Sequence, residues 1–286
     1  MSIRILDFDS SLKKQERLLA EYSAEVVDLR DLGPQVRLWI DHPVKKELLN
    51  RIKNSQSNAV TFLGSGDFHH ISYLLTDSIE DDFSLIVFDA HPDLDIVPPR
   101  LGCGSWVTHA LKNRNIRKCI LVGISLAGTF ISAAPGDFDL IDKDRLELYP
   151  YSAKKKNGLI LDKFSWRRLK GNDLKTFFLK VLKRIPARKA YVSIDKDCLK
   201  SEFALTNWEE GEFSLDELLL MLGLIKDNFD LIGMDITGDY SPSLNTARAK
   251  NFSAKGMPED LILSVNQNTN LAILEKIGDV SIFQQV

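Results

Sequence analysis

The sequence predicts an α/β fold: an open, doubly wound, mainly parallel sheet with helices on both faces, built as one domain over residues 1–286. Three observations lead there. Short apolar runs are continuous rather than alternating, as strands buried on both faces require. Helix-like stretches lie between these runs. Polar clusters rich in Asp and His follow several runs directly, where sheets of this kind place their sites.

The first predicted strand is Ile3 to Asp7, and a helical pattern follows from Leu12 to Tyr22. The next apolar runs are Ala59 to Leu63, Leu85 to Asp89 and Cys119 to Ile124. Residues 138–168 read as an insertion of short strands and loops, with Lys154, Lys155 and Lys156 in a solvated loop. A helix over Asp173 to Arg184 precedes a strand over Ala190 to Ile194. The helix predicted over Leu215 to Asn228 opens with Ser214 and Glu217, the spacing of a capping box. A strand over Leu231 to Ile236 and a helix over Asn268 to Lys276 complete the alternation.

Composition narrows the function classes. Hydrophobic residues make up 44% of the chain, with only 16 Gly and 10 Pro, so disorder is excluded as the main state. The longest apolar runs, such as Leu218 to Leu222, fall well short of the ~20 residues a spanning helix needs. With 37 basic and 40 acidic residues, the net charge of −3 gives no electrostatic footprint for nucleic acid. The chain has 3 cysteines and begins with no apolar leader, so the expected setting is the cytoplasm, with reduced thiols.

The polar clusters carry the chemistry. After Leu85 to Phe88 comes Asp89-Ala90-His91-Pro92-Asp93-Leu94-Asp95. In an extended chain alternate side chains share a face, which puts Asp89, His91, Asp93 and Asp95 together. Carboxylates that close repel unless some are protonated or a cation sits among them. Oxygen plus imidazole ligands suggest a divalent metal. Ser193-Ile194-Asp195-Lys196-Asp197 repeats the design at a second strand end. At a third, Gly64-Ser65-Gly66-Asp67-Phe68-His69-His70 combines a tight glycine turn with two histidines at a helix start.

These motifs resemble the ureohydrolase superfamily of arginase, agmatinase and formiminoglutamase, with deacetylase-like enzymes as distant cousins. The family's Asp-Ala-His-x-Asp matches Asp89 to Asp93, and its Ser-x-Asp-x-Asp matches Ser193 to Asp197. Its Gly-Gly-Asp-His turn resembles Ser65 to His69 with one extra residue, Phe68. The resemblance implies the arginase-like three-layer α/β/α fold and a pair of divalent ions, usually Mn²⁺, at the carboxyl edge of the sheet. Asp89 and Asp195 would bridge the ions. Asp93 and a histidine from the glycine turn would complete one position, with His69 favoured over His70. His91 and Asp197 would complete the other. A hydroxide shared by two such ions would attack a guanidinium, formimino or amide carbon of a small molecule, with Asp93 passing a proton to the leaving nitrogen. Family members are often oligomers, so a homo-oligomer is an expectation of the same kind.

The substrate half departs from the family. Cys103 in Cys103-Gly104-Ser105-Trp106-Val107 stands where the family keeps a proton-carrying His, and His109 is a candidate replacement. The family's Asp-Pro after Asp-x-Asp is Lys200-Ser201 here. Its guanidinium-gripping Glu aligns with Gly238, or with Asp239 after one insertion. Asp95 and Asp239 are therefore the expected substrate contacts. Three readings stand: a metal-dependent C–N hydrolase, a deacetylase-like amidohydrolase, and a metal- or ligand-binding protein of the same fold without turnover.

Overall fold

The computed structural model describes residues 2–53, 60–95, 100–124, 144–151, 174–241 and 253–278. Most of the expected 138–168 insertion, including the three-lysine run, lies outside them. The chain begins with β1 (Ser2–Asp7), α1 (Glu16–Glu21), β2 (Ser23–Asp28), α2 (Gly33–Val36), β3 (Trp39–Ile40) and α3 (His42–Lys53). It continues through β4 (Val60–Gly64), α4 (Ile71–Asp77), β5 (Phe83–Phe88), β6 (Leu101–Gly102), α5 (Trp106–Ala110), β7 (Ile116–Val122) and β8 (Leu146–Tyr149). The last described elements are α6 (Leu174–Leu182), β9 (Lys189–Asp195), α7 (Leu215–Asn228), β10 (Asp230–Thr237) and α8 (Glu259–Ile277).

An 8-stranded sheet in the order β2-β1-β4-β10-β9-β5-β7-β8 forms the middle layer, and its pairings are parallel. A separate antiparallel pair joins β3 to β6. Alternate strand residues feed two cores. Phe62, Ile86, Phe88, Val192, Ile194 and Ile236 pack toward α6, α7 and α8. Leu63, Leu85, Val87, Leu121 and Tyr191 pack toward α3, α4 and α5. Burial on both faces explains the continuous apolar runs, and the three-layer α/β/α architecture results. No helix among the described residues is long and apolar enough to cross a membrane.

Strand order gathers distant parts of the chain. The chain leaves β4 and returns as β5, and β9 and β10 later fill the gap between them. The carboxyl ends of these four central strands therefore meet, and loops from four distant sequence positions converge there.

Local differences from the sequence reading have physical causes. The helix expected over Leu12 to Tyr22 is confined to Glu16–Glu21. Ahead of it Asp7 accepts from the Ser10 amide at 2.7 Å, holding a turn, and edge strand β2 comes after the helix. Strand β7 starts three residues earlier than expected because Lys118, buried against Glu147 at 2.6 Å, interrupts the apolar pattern without ending the strand. Helix α8 starts at Glu259, well ahead of the expected Asn268, because polar side chains hide its early turns. Asn266, for example, is buried and bonds both the amide and the carbonyl of Leu205. The Ser214–Glu217 capping box is formed in both directions, at 3.2 and 2.9 Å.

Candidate metal centre

Each candidate ligand leaves the sheet by its own device. Strand β4 ends at Gly64, whose φ of +84° turns the chain where a Cβ would stand 2.8 Å from Oδ1 of Asp9. A single turn, Gly66–Phe68, comes next. Phe68 points into the core and stacks on Phe8 at 4.8 Å, so the inserted residue is absorbed by packing. His69 then faces the acids. His70 is buried against the backbone of Val36, and burial, with His69 beside it, pushes its pKa down to about 3. Of the two histidines, His69 is the one turned toward the cluster.

The run after β5 is not extended. Asp89 accepts from the His91 amide at 2.6 Å, and Asp93 takes a φ of +49°. The alternation expected of Asp89, His91, Asp93 and Asp95 therefore fails at its end. Asp95 is exposed and donates its amide to Gly104 at 2.8 Å, outside the acid cluster. At the end of β9, Asp195 caps the next turn by accepting from the Asp197 amide at 3.0 Å.

Two overlapping groups result, His69–Asp89–Asp93 and Asp89–His91–Asp197, each with ligand atoms within 4.8 Å of one another. Nδ1 of His69 lies 3.1 Å from Asp89, 3.2 Å from Asp93 and 3.6 Å from Asp195. Nδ1 of His91 lies 2.9 Å from Asp197 and 3.5 Å from Asp89. Both groups could coordinate metal ions.

The donor chemistry fits that reading. Nε2 of His69 lies 2.9 Å from Oγ of Ser193, and Ser193 donates to Asp235 at 2.7 Å. With its proton committed to Asp235, Ser193 accepts from Nε2–H, so the neutral ring turns a lone pair on Nδ1 toward the acids. That buried Nδ1 makes no properly directed hydrogen bond. A lone pair facing three carboxylates is repulsive unless a cation lies between them. Without a metal, a proton takes that place. Burial opposes charge on His69, yet Asp89 and Asp93 override it and push its pKa well above the ordinary value.

The acids behave accordingly. Burial, then Asp89, pushes Asp93 up to about 7. Burial, with Asp197 and Asp89, raises Asp195 well above the carboxylate range. Burial raises Asp197 as well. Asp89 goes the other way: although buried, it is held down by His69 and His91. Four carboxylates carry four negative charges, which two divalent ions would balance.

The other expected residues fare differently. Cys103 borders the site, and burial, then Asp93, pushes its thiol pKa well above the ordinary value. His109 does not reach the acids: it stacks edge-on against Tyr73 at 6.1 Å and lines an outer cavity of about 500 Å³ with Asp77, Glu80 and Lys112. The short helix α5 carries it past the site. Asp239 lies beneath the surface. It is 1% exposed, and it is held by Lys196 at 2.9 Å, Gln15 at 2.7 Å and Asn270 at 3.2 Å.

Sequence reasoning missed three contributors. Trp106 donates its indole N–H to Asp93 at 2.7 Å and tilts over His69 at 4.8 Å. Trp208 lies edge-on to His91 at 5.3 Å and donates to Asp67 at 3.0 Å, and Asp67 also pairs with Arg37 at 2.9 Å. Asp235 gathers Ser72, Tyr191 and Ser193 at 2.7–2.9 Å behind His69. Trp106 sits inside the quoted Cys103 to Val107 segment and Asp235 inside the predicted strand Leu231 to Ile236, so position could have flagged them. Nothing in the sequence marks Trp208.

Comparison with known proteins agrees with the fold. An uncharacterized protein of Thermotoga maritima is 29% identical over 242 residues, 84% of this chain and 80% of its own. Among solved structures, proclavaminate amidino hydrolase from Streptomyces clavuligerus superimposes with a TM-score of 0.59 at 13% identity, covering 96% of this chain and 91% of its own. Trypanosoma cruzi formiminoglutamase with Mn²⁺ gives 0.56 at 12% identity, covering 95% and 92%. At such identities the structural likeness speaks for the fold. The family model of the arginase family matches residues 10–259, most of the described sheet and every candidate ligand, and the chain belongs to that family.

Proposed function

We propose that the protein is a hydrolase of C–N bonds in a small guanidino, amidino or amide compound, dependent on two divalent ions, most simply Mn²⁺. Family membership and the overlapping ligand groups support a metal-dependent hydrolase of the ureohydrolase type. The observation that carries the proposal is the convergence of six buried or half-buried ligands, His69, Asp89, His91, Asp93, Asp195 and Asp197, at the strand ends. An oxygen-rich set with some imidazole suits Mn²⁺, and the Trypanosoma relative was solved with it.

Asp89, which lies in both ligand groups, and Asp195 would help to hold both ions. Asp93 with His69, and Asp197 with His91, complete the two positions. When bound, the ions supply a nucleophile from water at neutral pH and polarise the group under attack. The chain does the rest. Ser193 and Asp235 fix the His69 tautomer. Trp106 holds one oxygen of Asp93, so its carboxyl keeps a single orientation, as a group moving a proton to a leaving nitrogen must. Cys103, protonated at neutral pH, adds no negative charge there. The proposed setting is the cytoplasm, since all three cysteines are unpaired.

The test is a panel of guanidino, amidino and acylated-amine compounds incubated with Mn²⁺-loaded protein, scored by mass spectrometry for urea, ammonia or amine. Metal-dependent turnover of at least one member is expected. Tight metal binding with no turnover of any member would count for a binding protein instead.

A further inference from the structure

At the end of β10 the chain runs from Thr237 into Gly238 and Asp239. Gly238 has a φ of +89°, and a Cβ there would stand 2.6 Å from Oδ1 of Asp195 and 2.8 Å from the Lys196 amide nitrogen. No side chain can project from this position without displacing a candidate ligand. The next residue does carry a carboxylate, but three donors converge on its Oδ1, and Asn270 also lies 3.4 Å from its Oδ2. Nζ of Lys196 lies 2.9 Å from Oδ1 of Asp239, and Gln15 and Asn270 add amide donors at 2.7 and 3.2 Å. Lys196 is 0% exposed and Asp239 1%. Lys196 is also the residue between Asp195 and Asp197, so its positive charge is anchored within the acid cluster's own turn.

Two other buried acids around the cluster are matched too, whereas the half-buried Asp9 beside Gly64 keeps one buried oxygen, Oδ2, without a hydrogen-bond partner. Asp67 serves Arg37 and Trp208, and Asp235 serves Ser72, Tyr191 and Ser193. A guanidinium or amidinium gains no attraction from two divalent ions whose charge four carboxylates already balance. It needs a carboxylate fork to stay charged in a buried place. An uncharged carboxamide or ureide needs none.

We propose that Lys196 is a specificity-determining residue: by occupying Asp239 it closes the site to cationic head groups and leaves it suited to an uncharged carboxamide or ureide. This rests on, and narrows, the C–N hydrolase reading. For a carboxamide, the oxygen of water forms the new C–O bond as the C–N bond breaks. The leaving nitrogen takes up the proton that water gives up, so acid and amine result with no further reactant.

The test uses the full chain loaded with Mn²⁺ and two probes of similar shape, butyramide and propylguanidinium, titrated by calorimetry. The wild type is expected to prefer butyramide by about tenfold or more. Lys196→Met is expected to gain propylguanidinium binding by a similar factor, and Lys196→Met with Asp239→Asn to lose that gain. Circular dichroism checks that each variant folds. Should Lys196→Met not fold, the wild-type preference and Lys196→Gln decide. Equal or tighter binding of propylguanidinium by the wild type overturns the proposal, including binding that Asp9→Asn removes. So does binding of neither probe with no gain in the variants. A protein that turns over nothing yet keeps the preference would lose the hydrolase reading and retain the specificity.

Discussion

Nε2 of His69 and Oγ of Ser193 lie 2.9 Å apart, and this contact decides which face of the imidazole meets the acids. Ser193 spends its proton on Asp235, so it can only accept from the ring. Nδ1 is thereby committed to the cluster. Outer partners of this kind orient a metal-binding histidine, and their loss typically weakens metal affinity by about 10–100-fold. Ser193→Ala should therefore weaken one metal position by that factor and leave the position around His91 nearly unchanged. Metal titration by calorimetry resolves the two. Equal weakening at both, or at neither, would remove Ser193 from this role.

The metal-free chain should lose stability as pH rises. Asp93, at about 7, and Asp195, His69 and His91 all have folded pKa values raised above their unfolded ones. Stability from groups of this kind is present below the unfolded pKa and lost as pH climbs through the folded one. Each proton held by the folded state in excess of the unfolded one costs about 1.4 kcal/mol per pH unit. Asp89 and His70 have the opposite sign: the loss from Asp89 falls at acid pH, and His70, at about 3, offsets one proton below the unfolded histidine value of about 6.5, fewer than Asp93 and Asp195 hold together. Thermal melts between pH 5 and 8 should show Tm falling for metal-free protein and nearly level for metal-loaded protein. A metal-free Tm that rises over this range would contradict the charge assignment.

Gly238→Ala should cost about 1–3 kcal/mol in unfolding free energy, from the positive φ alone. Because the new Cβ would press on Asp195, metal binding should weaken as well. Denaturant melts of metal-free protein isolate the first effect and metal titrations the second. An unchanged metal affinity would show that Asp195 yields without consequence.

His109→Ala should leave metal content and turnover within about twofold, since His109 lines the outer cavity with Tyr73. Trp106→Phe, which removes the donor to Asp93, should lower kcat by about tenfold or more while the protein stays folded. Steady-state kinetics on any compound turned over compares the two. A large loss from His109→Ala with none from Trp106→Phe would reverse the roles.

The sheet was legible because its strands are buried on both faces, which leaves runs such as Leu85 to Phe88 unbroken by polar residues. Strand β2 was not, because an edge strand lacks that double burial. Lys118 and Asn266 obscured β7 and α8 because buried polar residues that find partners look like surface in a sequence. The ligand types were legible from their clustering at strand ends. Asp95 was misplaced because alternation assumes an extended chain, and the positive φ at Asp93 breaks it. The partners of Asp239 were not legible either, because nothing local reveals Lys196, Gln15 and Asn270 closing on it from three separate elements.

The central claim is a pair of divalent ions held between β4, β5, β9 and β10. Elemental analysis of Mn²⁺-loaded protein after gel filtration tests it most directly, with Asp89→Asn measured alongside because Asp89 belongs to both ligand groups. Two ions per chain in the wild type, and loss of both in Asp89→Asn, are the expected result. A wild-type chain that emerges without metal, its strand ends held by protons and protein hydrogen bonds alone, would contradict the account.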